Sequence, residues 1–77
     1  MITSEQLRAA RAMVRWDQKK LSTAAGISLA TLKRLEAASG PLRTSAVNMD
    51  NLQTALEQAG VIFIHENGGG PGIRLRK

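Results

Sequence analysis

Residues 18–38, QKKLSTAAGISLATLKRLEAA, constrain the fold of this 77-residue chain more than any other stretch. Asp17 stands where it can cap a helix over about 18–25, and Leu21, Ala24 and Ala25 fall on its inward side. Gly26 follows, at the position where glycine takes a left-handed backbone at little cost. Ser28 can cap a second helix over about 29–38, with Leu32 and Leu35 inward. Gly40-Pro41 stops it. The small residues Ser22, Ala24 and Ala25 permit a close, steep crossing of the two helices. Ile27 plugs the space beneath the turn. Leu21, Ile27, Leu32 and Leu35 together make an apolar joint.

The flanking segments supply what such a pair packs against. Ser4 can cap a helix over about 4–15, with Leu7, Ala10 and Val14 at helical spacing and Ala9, Met13 and Trp16 beside them. A polar connection, Leu42 to Val47, leads to Asn48, which can cap a helix over about 49–59. Met49, Leu52, Ala55, Leu56 and Ala59 form its stripe, and Gly60 ends it. All these apolar stripes are expected to be core. Val61-Ile62-Phe63-Ile64 and Ile73-Arg74-Leu75-Arg76 read as two strands around a glycine-rich loop, hence a hairpin. A lone hairpin is marginal in water, so this one must pack on the helices or on another chain. The expected architecture is mainly α, four helices with a C-terminal β-hairpin, divided as 1–60 and 61–77.

Composition narrows the chemistry. The chain is long enough for one domain, and at this size folding buries only ~60% of the unfolded surface. It has no cysteine and a single histidine. Disulfides, thiolate metal sites and thiol catalysis are excluded, and His65 alone does not make a zinc site. No cofactor motif is present. No apolar run approaches ~20 residues, so no membrane span is expected. The N-terminal MITSEQLRAA has no apolar signal core, so a cytoplasmic, nucleoid-associated location is expected. The net charge is +5, and it is unevenly placed. Span 8–43 holds eight Arg or Lys against Asp17 and Glu36, a net of +6. In 44–77, Arg74, Arg76 and Lys77 balance Asp50, Glu57 and Glu66. A localised basic excess is the footprint of a polyanion partner, although small domains are often mildly basic without one.

The outward residues of 18–38 sharpen that reading. Gln18 and Lys19 open the first helix of the pair. Ser28, Leu29, Ala30, Thr31, Lys33 and Arg34 begin or face outward from the second. This is the outline of a helix-turn-helix, in which the N-terminal part of the second helix reaches base edges in the major groove. Arg can pair bidentately with guanine, and apolar side chains touch the thymine methyl.

Across about 4–59 the chain resembles the Xre/Cro-type helix-turn-helix family, the small repressor domains with the lambda-repressor-like fold. Arg11, Gln18, Leu21, Ala25-Gly26-Ile27-Ser28, Thr31-Leu32, Leu35 and Glu36 carry the resemblance. It implies a DNA backbone or neighbouring base contact for Gln18 and a phosphate contact for Ser28. It implies sequence reading by the positions of Leu29, Ala30, Lys33 and Arg34, and a structural ion pair between Arg11 and Glu36. The family usually has alanine where Ser22 stands. Leu29 and Ala30 are apolar where it often has Gln, Asn or Arg. That fits either thymine-methyl contacts or a surface turned toward protein.

The resemblance thus implies a sequence-specific, double-stranded DNA-binding transcriptional regulator, such as a repressor, acting as a homodimer. Its recognition helix would span about 28–38. The candidate dimer surface is the hairpin, through Val61, Ile62, Phe63, Ile64, Ile73 and Leu75. The alternatives are a protein-binding module of the same fold, an anti-activator or antitoxin holding a partner regulatory protein, and a small RNA-binding protein. An enzyme is not expected, since no cluster of nucleophile, base and orienting group is visible. Glu57, His65 and Glu66 read as surface residues. Gly68-Gly69-Gly70-Pro71-Gly72 precedes a strand, not a helix, so it reads as a hairpin loop and not a phosphate cradle. Trp16 reads as packed, not as a stacking platform. Lys19 and Lys20 suit phosphate contact or plain solvation equally. Arg74, Arg76 and Lys77 suit backbone contact or protection of a strand edge.

Overall fold

The structure, a computed structural model, describes residues 2–76. Met1, where the N-terminal segment begins, and Lys77, of the C-terminal basic trio, lie outside the described residues.

Helix α1 (Ser4–Met13) starts one residue from where a serine cap would put it. Thr3 is the cap. Its hydroxyl accepts from the Gln6 N–H at 3.1 Å, and Gln6 Oε1 accepts from the Thr3 N–H at 2.8 Å. The reciprocal pair needs Glu or Gln three residues on. Thr3 has Gln6 there, whereas Ser4 has Leu7, so Thr3 wins and Ser4 is buried as the first helical residue. The helix also ends at Met13 and does not run to 15, because Arg15 turns to φ 60°.

Helices α2 (Gln18–Ala25) and α3 (Leu29–Ala37) match expectation closely. Asp17 accepts from the Lys20 N–H at 2.7 Å and Ser28 from the Thr31 N–H at 3.1 Å, so both caps are made. Gly26 has φ 70°. Leu21, Ser22 and Ala25 are buried on α2, and Leu32, Leu35 and Glu36 on α3. Ala24 is exposed instead of inward, as is Ala9 on α1. Ala24 lies roughly a quarter of the way round α2 from the face its neighbours bury, and Ala9 lies on the far side of α1.

Helix α4 (Ala46–Gln58) begins three residues earlier than an Asn48 cap implies. Ser45 caps it, accepting from the Asn48 N–H at 3.1 Å, while Asn48 Nδ2 donates back to Thr44 Oγ1 at 3.0 Å. The preceding connection is less polar in effect than it looks. Leu42 is buried, its N–H donates to Ile2 O at 3.1 Å, and Ser4 N–H donates to Gly40 O at 2.9 Å. Segments 2–4 and 40–42 therefore run side by side, with a bridge between Thr3 and Pro41. Glu5 adds to this edge by accepting from the Gly40 N–H at 3.0 Å. Backbone hydrogen bonds hold its carboxyl below the usual carboxylate range.

Strands β1 (Val61–Ile64) and β2 (Gly72–Leu75) pair antiparallel, with Val61 opposite Leu75 and Phe63 opposite Ile73. Opposed residues share a face of the sheet. Val61 and Phe63 are buried in the same cluster as Leu7, Leu21, Leu32, Leu35, Leu52 and Leu56. They are thus withdrawn from the surface the hairpin was expected to offer a second chain. Ile62, Ile64 and Ile73 are half-buried and Leu75 is exposed. Gln6 fastens the hairpin to α1, its Nε2 donating to Ile64 O at 3.1 Å and to Gly72 O at 2.9 Å. Among the described residues no helix is long and apolar enough to cross a membrane.

Candidate nucleic-acid interface

The surface around α2 and α3 is built by what α3 buries. Leu32 and Leu35 go into the core, and Glu36 follows them, only 4% exposed. The residues left to solvent on α3 are Ala30, Lys33, Arg34 and Ala37. Their spacing of three and four places them in one stripe along the helix. The stripe contains two cations and no acid.

Glu36 is buried because three donors converge on it. Arg11 Nε reaches Oε2 at 2.7 Å and Arg11 Nη2 reaches Oε1 at 2.9 Å. Gln18 Nε2 reaches Oε1 at 3.1 Å. One carboxylate thus joins α1, α2 and α3. The Glu36 hydrogen bond raises the Arg11 pKa above its ordinary value, which keeps the guanidinium charged. A second cation closes the end of α3. Arg8 Nη1 donates to the carbonyl of Glu36 and to that of Ala38 at 2.8 Å. Carbonyls at a helix C-terminus are otherwise unpaired, and a positive charge there complements the negative end of the helix dipole.

These contacts sort the basic residues of span 8–43. Arg8 and Arg11 are engaged internally, and Lys20 Nζ lies 5.3 Å from the centre of the Trp16 ring. Arg15, Lys19, Lys33, Arg34 and Arg43 are exposed, and among the described residues none makes an ion pair or side-chain hydrogen bond. Trp16 is half-buried and packed against the core, and its ring is occupied by Lys20.

The sequence candidates separate accordingly. Lys19, Lys33 and Arg34 are exposed, and so is Ala30. Gln18 is half-buried and committed to Glu36 through its nitrogen. The Ser28 and Thr31 hydroxyls are hydrogen-bonded to each other at 2.8 Å. Leu29 is half-buried, so its side chain is less open than an outward position implies. Among the described residues the exposed large apolar side chains lie elsewhere, at Val47 (66% exposed) and Leu75 (48%). The roles of Arg8 and Gln6 were not foreseen. Both depend on acceptors 28 or more residues away, which no local pattern encodes.

No family model matches the chain, and no curated protein matches it.

Proposed function

We propose that this chain is a sequence-specific, double-stranded DNA-binding transcriptional regulator of the Xre/Cro helix-turn-helix type, with the lambda-repressor-like fold. Helix α3 enters the major groove, and residues 1–60 form the DNA-binding unit. The observation that carries this reading is the acid-free stripe Ala30, Lys33, Arg34 and Ala37 on α3. The uncommitted cations Arg15, Lys19 and Arg43 add to it. They suit the phosphate contacts that fix a protein on the duplex, while Arg34 suits a guanine edge and Ala30 a thymine methyl. One such helix reads too few base pairs for tight binding. A homodimer with two helices ~34 Å apart on a two-fold site is therefore part of the proposal. So is a cytoplasmic, nucleoid-associated location. No enzymatic activity or cofactor belongs to it.

A gel shift with DNA from the chain's own promoter, over a salt series and against competitor DNA, tests the reading. Specific binding is expected, with log affinity falling as log salt rises. If Arg34 reads a base and the other four free cations meet phosphate, the slope is about −3.6 per protomer. Absence of a specific shift would sink the proposal. A second reading is a protein-binding module of the same fold holding a regulatory partner. Exposed Val47 and Leu75 favour it, and it predicts a co-purifying protein with no specific shift.

A further inference from the structure

The hairpin has one open edge, and a single bond fixes which main-chain groups line it. Arg76 N–H donates to Gly60 O at 2.6 Å. Hydrogen-bonded pairs alternate along an antiparallel ladder, so Ile62 with Arg74 and Ile64 with Gly72 are the bonded pairs of β1 and β2. The N–H and C=O of Ile73 and Leu75 therefore face away from β1. No group among the described residues bonds to them. The opposite edge is closed, since Val61 and Phe63, whose main chain faces that way, are only 1% and 8% exposed. Strand β2 thus presents unpaired main-chain groups beside a half-buried Ile73 and an exposed Leu75. Such an edge is a template for another strand.

The residues of β2 select a second β2 in one register. Outward-facing groups must meet outward-facing groups, so antiparallel self-pairing is centred on Ile73, Arg74 or Leu75. Centring on Arg74 sets Arg74 against its own copy, and centring on Leu75 sets Arg74 against Arg76. Like charges directly opposed are destabilising. Centring on Ile73 instead sets Arg74 against the copy's Gly72. A Cβ at Gly72 would meet only Ile64, at 3.9 Å, so there is room for the Arg74 stem beside that apolar side chain. On the other face, the row of Phe63 and Ile73 would continue into the copy's Ile73 and Phe63, and Leu75 would meet the copy's Pro71. We propose that two copies pair antiparallel through β2, centred on Ile73, into one four-stranded sheet. Each Ile73 N–H donates to the other Ile73 C=O, and each Leu75 N–H to the other Pro71 C=O. Proline has no N–H, so the ladder ends there. The covered β1 edges stop further addition, and the contact is two-fold and closed. This gives the homodimer of the DNA-binding reading its interface, and rests on that reading for its purpose.

The chain has no cysteine, so engineered cross-links report the register cleanly. Arg74 and the copy's Gly72 form a non-hydrogen-bonded pair, with Cα atoms about 4.5 Å apart, within reach of a disulfide. Full-length Gly72→Cys mixed with full-length Arg74→Cys should oxidise to a covalent dimer, and neither variant alone should. Arg74→Cys cross-linking to itself overturns the proposal, because it centres the pairing on Arg74. Sedimentation equilibrium without DNA should show a concentration-dependent dimer for the wild type. Ile73→Pro removes the outward N–H and keeps every main-chain bond to β1. It should raise the dissociation constant about tenfold or more, since two symmetric hydrogen bonds are lost. A dimer indifferent to Ile73→Pro overturns the proposal. So does a wild type that stays monomeric at the highest soluble concentration, which leaves the edge to some other strand.

These measurements use no DNA, so they fail separately from the DNA-binding reading. With the dimer and the mixed cross-link present and no specific gel shift, the DNA-binding reading falls and the β2 pairing stands. With a specific shift from a chain that gives neither, the proposal alone falls. If Ile73→Pro loses the circular dichroism of the wild type, the mixed cross-link and the wild-type sedimentation carry the test.

Discussion

Helices α1 and α2 end in the same backbone geometry but support it differently. After α2, Gly26 takes φ 70°, its N–H donates to Thr23 O at 3.2 Å, and Ile27 N–H reaches Ser22 O at 3.0 Å. After α1, Arg15 takes φ 60°, its N–H donates to Ala12 O at 3.0 Å, and Trp16 N–H reaches Arg11 O at 3.1 Å. Both are the left-handed helix stop in which two turned-back amides satisfy the last carbonyls. Glycine adopts it freely, whereas an L-residue is disfavoured by about 1–2 kcal/mol. The α2 stop is self-contained. The α1 stop is braced from outside, since Arg11 Nη1 donates to Trp16 O at 3.0 Å and Glu36 holds Arg11. Lys20 over the Trp16 ring adds a further contact. A stop made by its own residue is visible in sequence, and one made by neighbours in space is not.

Removing the brace is the severest way to break the contrast. Glu36→Ala strands the Arg11 guanidinium and frees Gln18. Losing one partner of a buried pair costs about 3–5 kcal/mol. The lower end applies here, because the Arg11 side chain is 23% exposed and regains water. About 3 kcal/mol is a large share of the ~5–10 kcal/mol expected for a domain of this size. Urea unfolding should show it, and hydrogen exchange at the Trp16 amide should speed up more than at Ile27. Equal acceleration at both amides would mean that Glu36 supports the whole fold and not the α1 end in particular.

Gly26→Ala attacks the other stop, with a smaller expected effect. A Cβ at Gly26 would meet nothing within 4 Å, so the cost is backbone strain without a clash. About 1–2 kcal/mol should be lost by urea unfolding. A loss below about 0.5 kcal/mol would show that the turn relaxes, and that its left-handed geometry is not needed to set α3 against α2.

The same contrast explains what was legible. The α2–turn–α3 unit could be read because each signal is local: Asp17 and Ser28 cap, Gly26 turns, and Leu21, Leu32 and Leu35 repeat at helical spacing. The ion pair of Arg11 with Glu36 came from resemblance, not from spacing. Where two adequate caps compete, as Thr3 with Ser4 or Ser45 with Asn48, the winner depends on further partners. Ile2 and Leu42 are buried but belong to no periodic run, since they meet only when 2–4 pairs with 40–42. At the candidate site, the exposed cations could be named from sequence. That Gln18 already gives one amide N–H to Glu36 could not, because the bond spans 18 residues and a helix crossing.

The smallest expected effect tests whether Arg15 keeps its strained place for the sake of its charge. Arg15→Gly relieves about 1–2 kcal/mol of left-handed strain. It also gives the unfolded chain extra freedom, which offsets about 0.4–1 kcal/mol of that. The net should be a gain of roughly 0.5–1 kcal/mol. Arg15→Ala keeps a Cβ in the left-handed region and should leave stability nearly unchanged. The two variants lose the same positive charge, so any change they share is electrostatic and any difference is backbone. If exposed Arg15 meets a phosphate, both lower the salt slope of DNA binding by about one unit, while only Arg15→Gly raises the unfolding midpoint. A midpoint that stays level in Arg15→Gly would mean that the Arg11 brace already absorbs the strain. In that case the two helix ends are energetically alike despite their different residues.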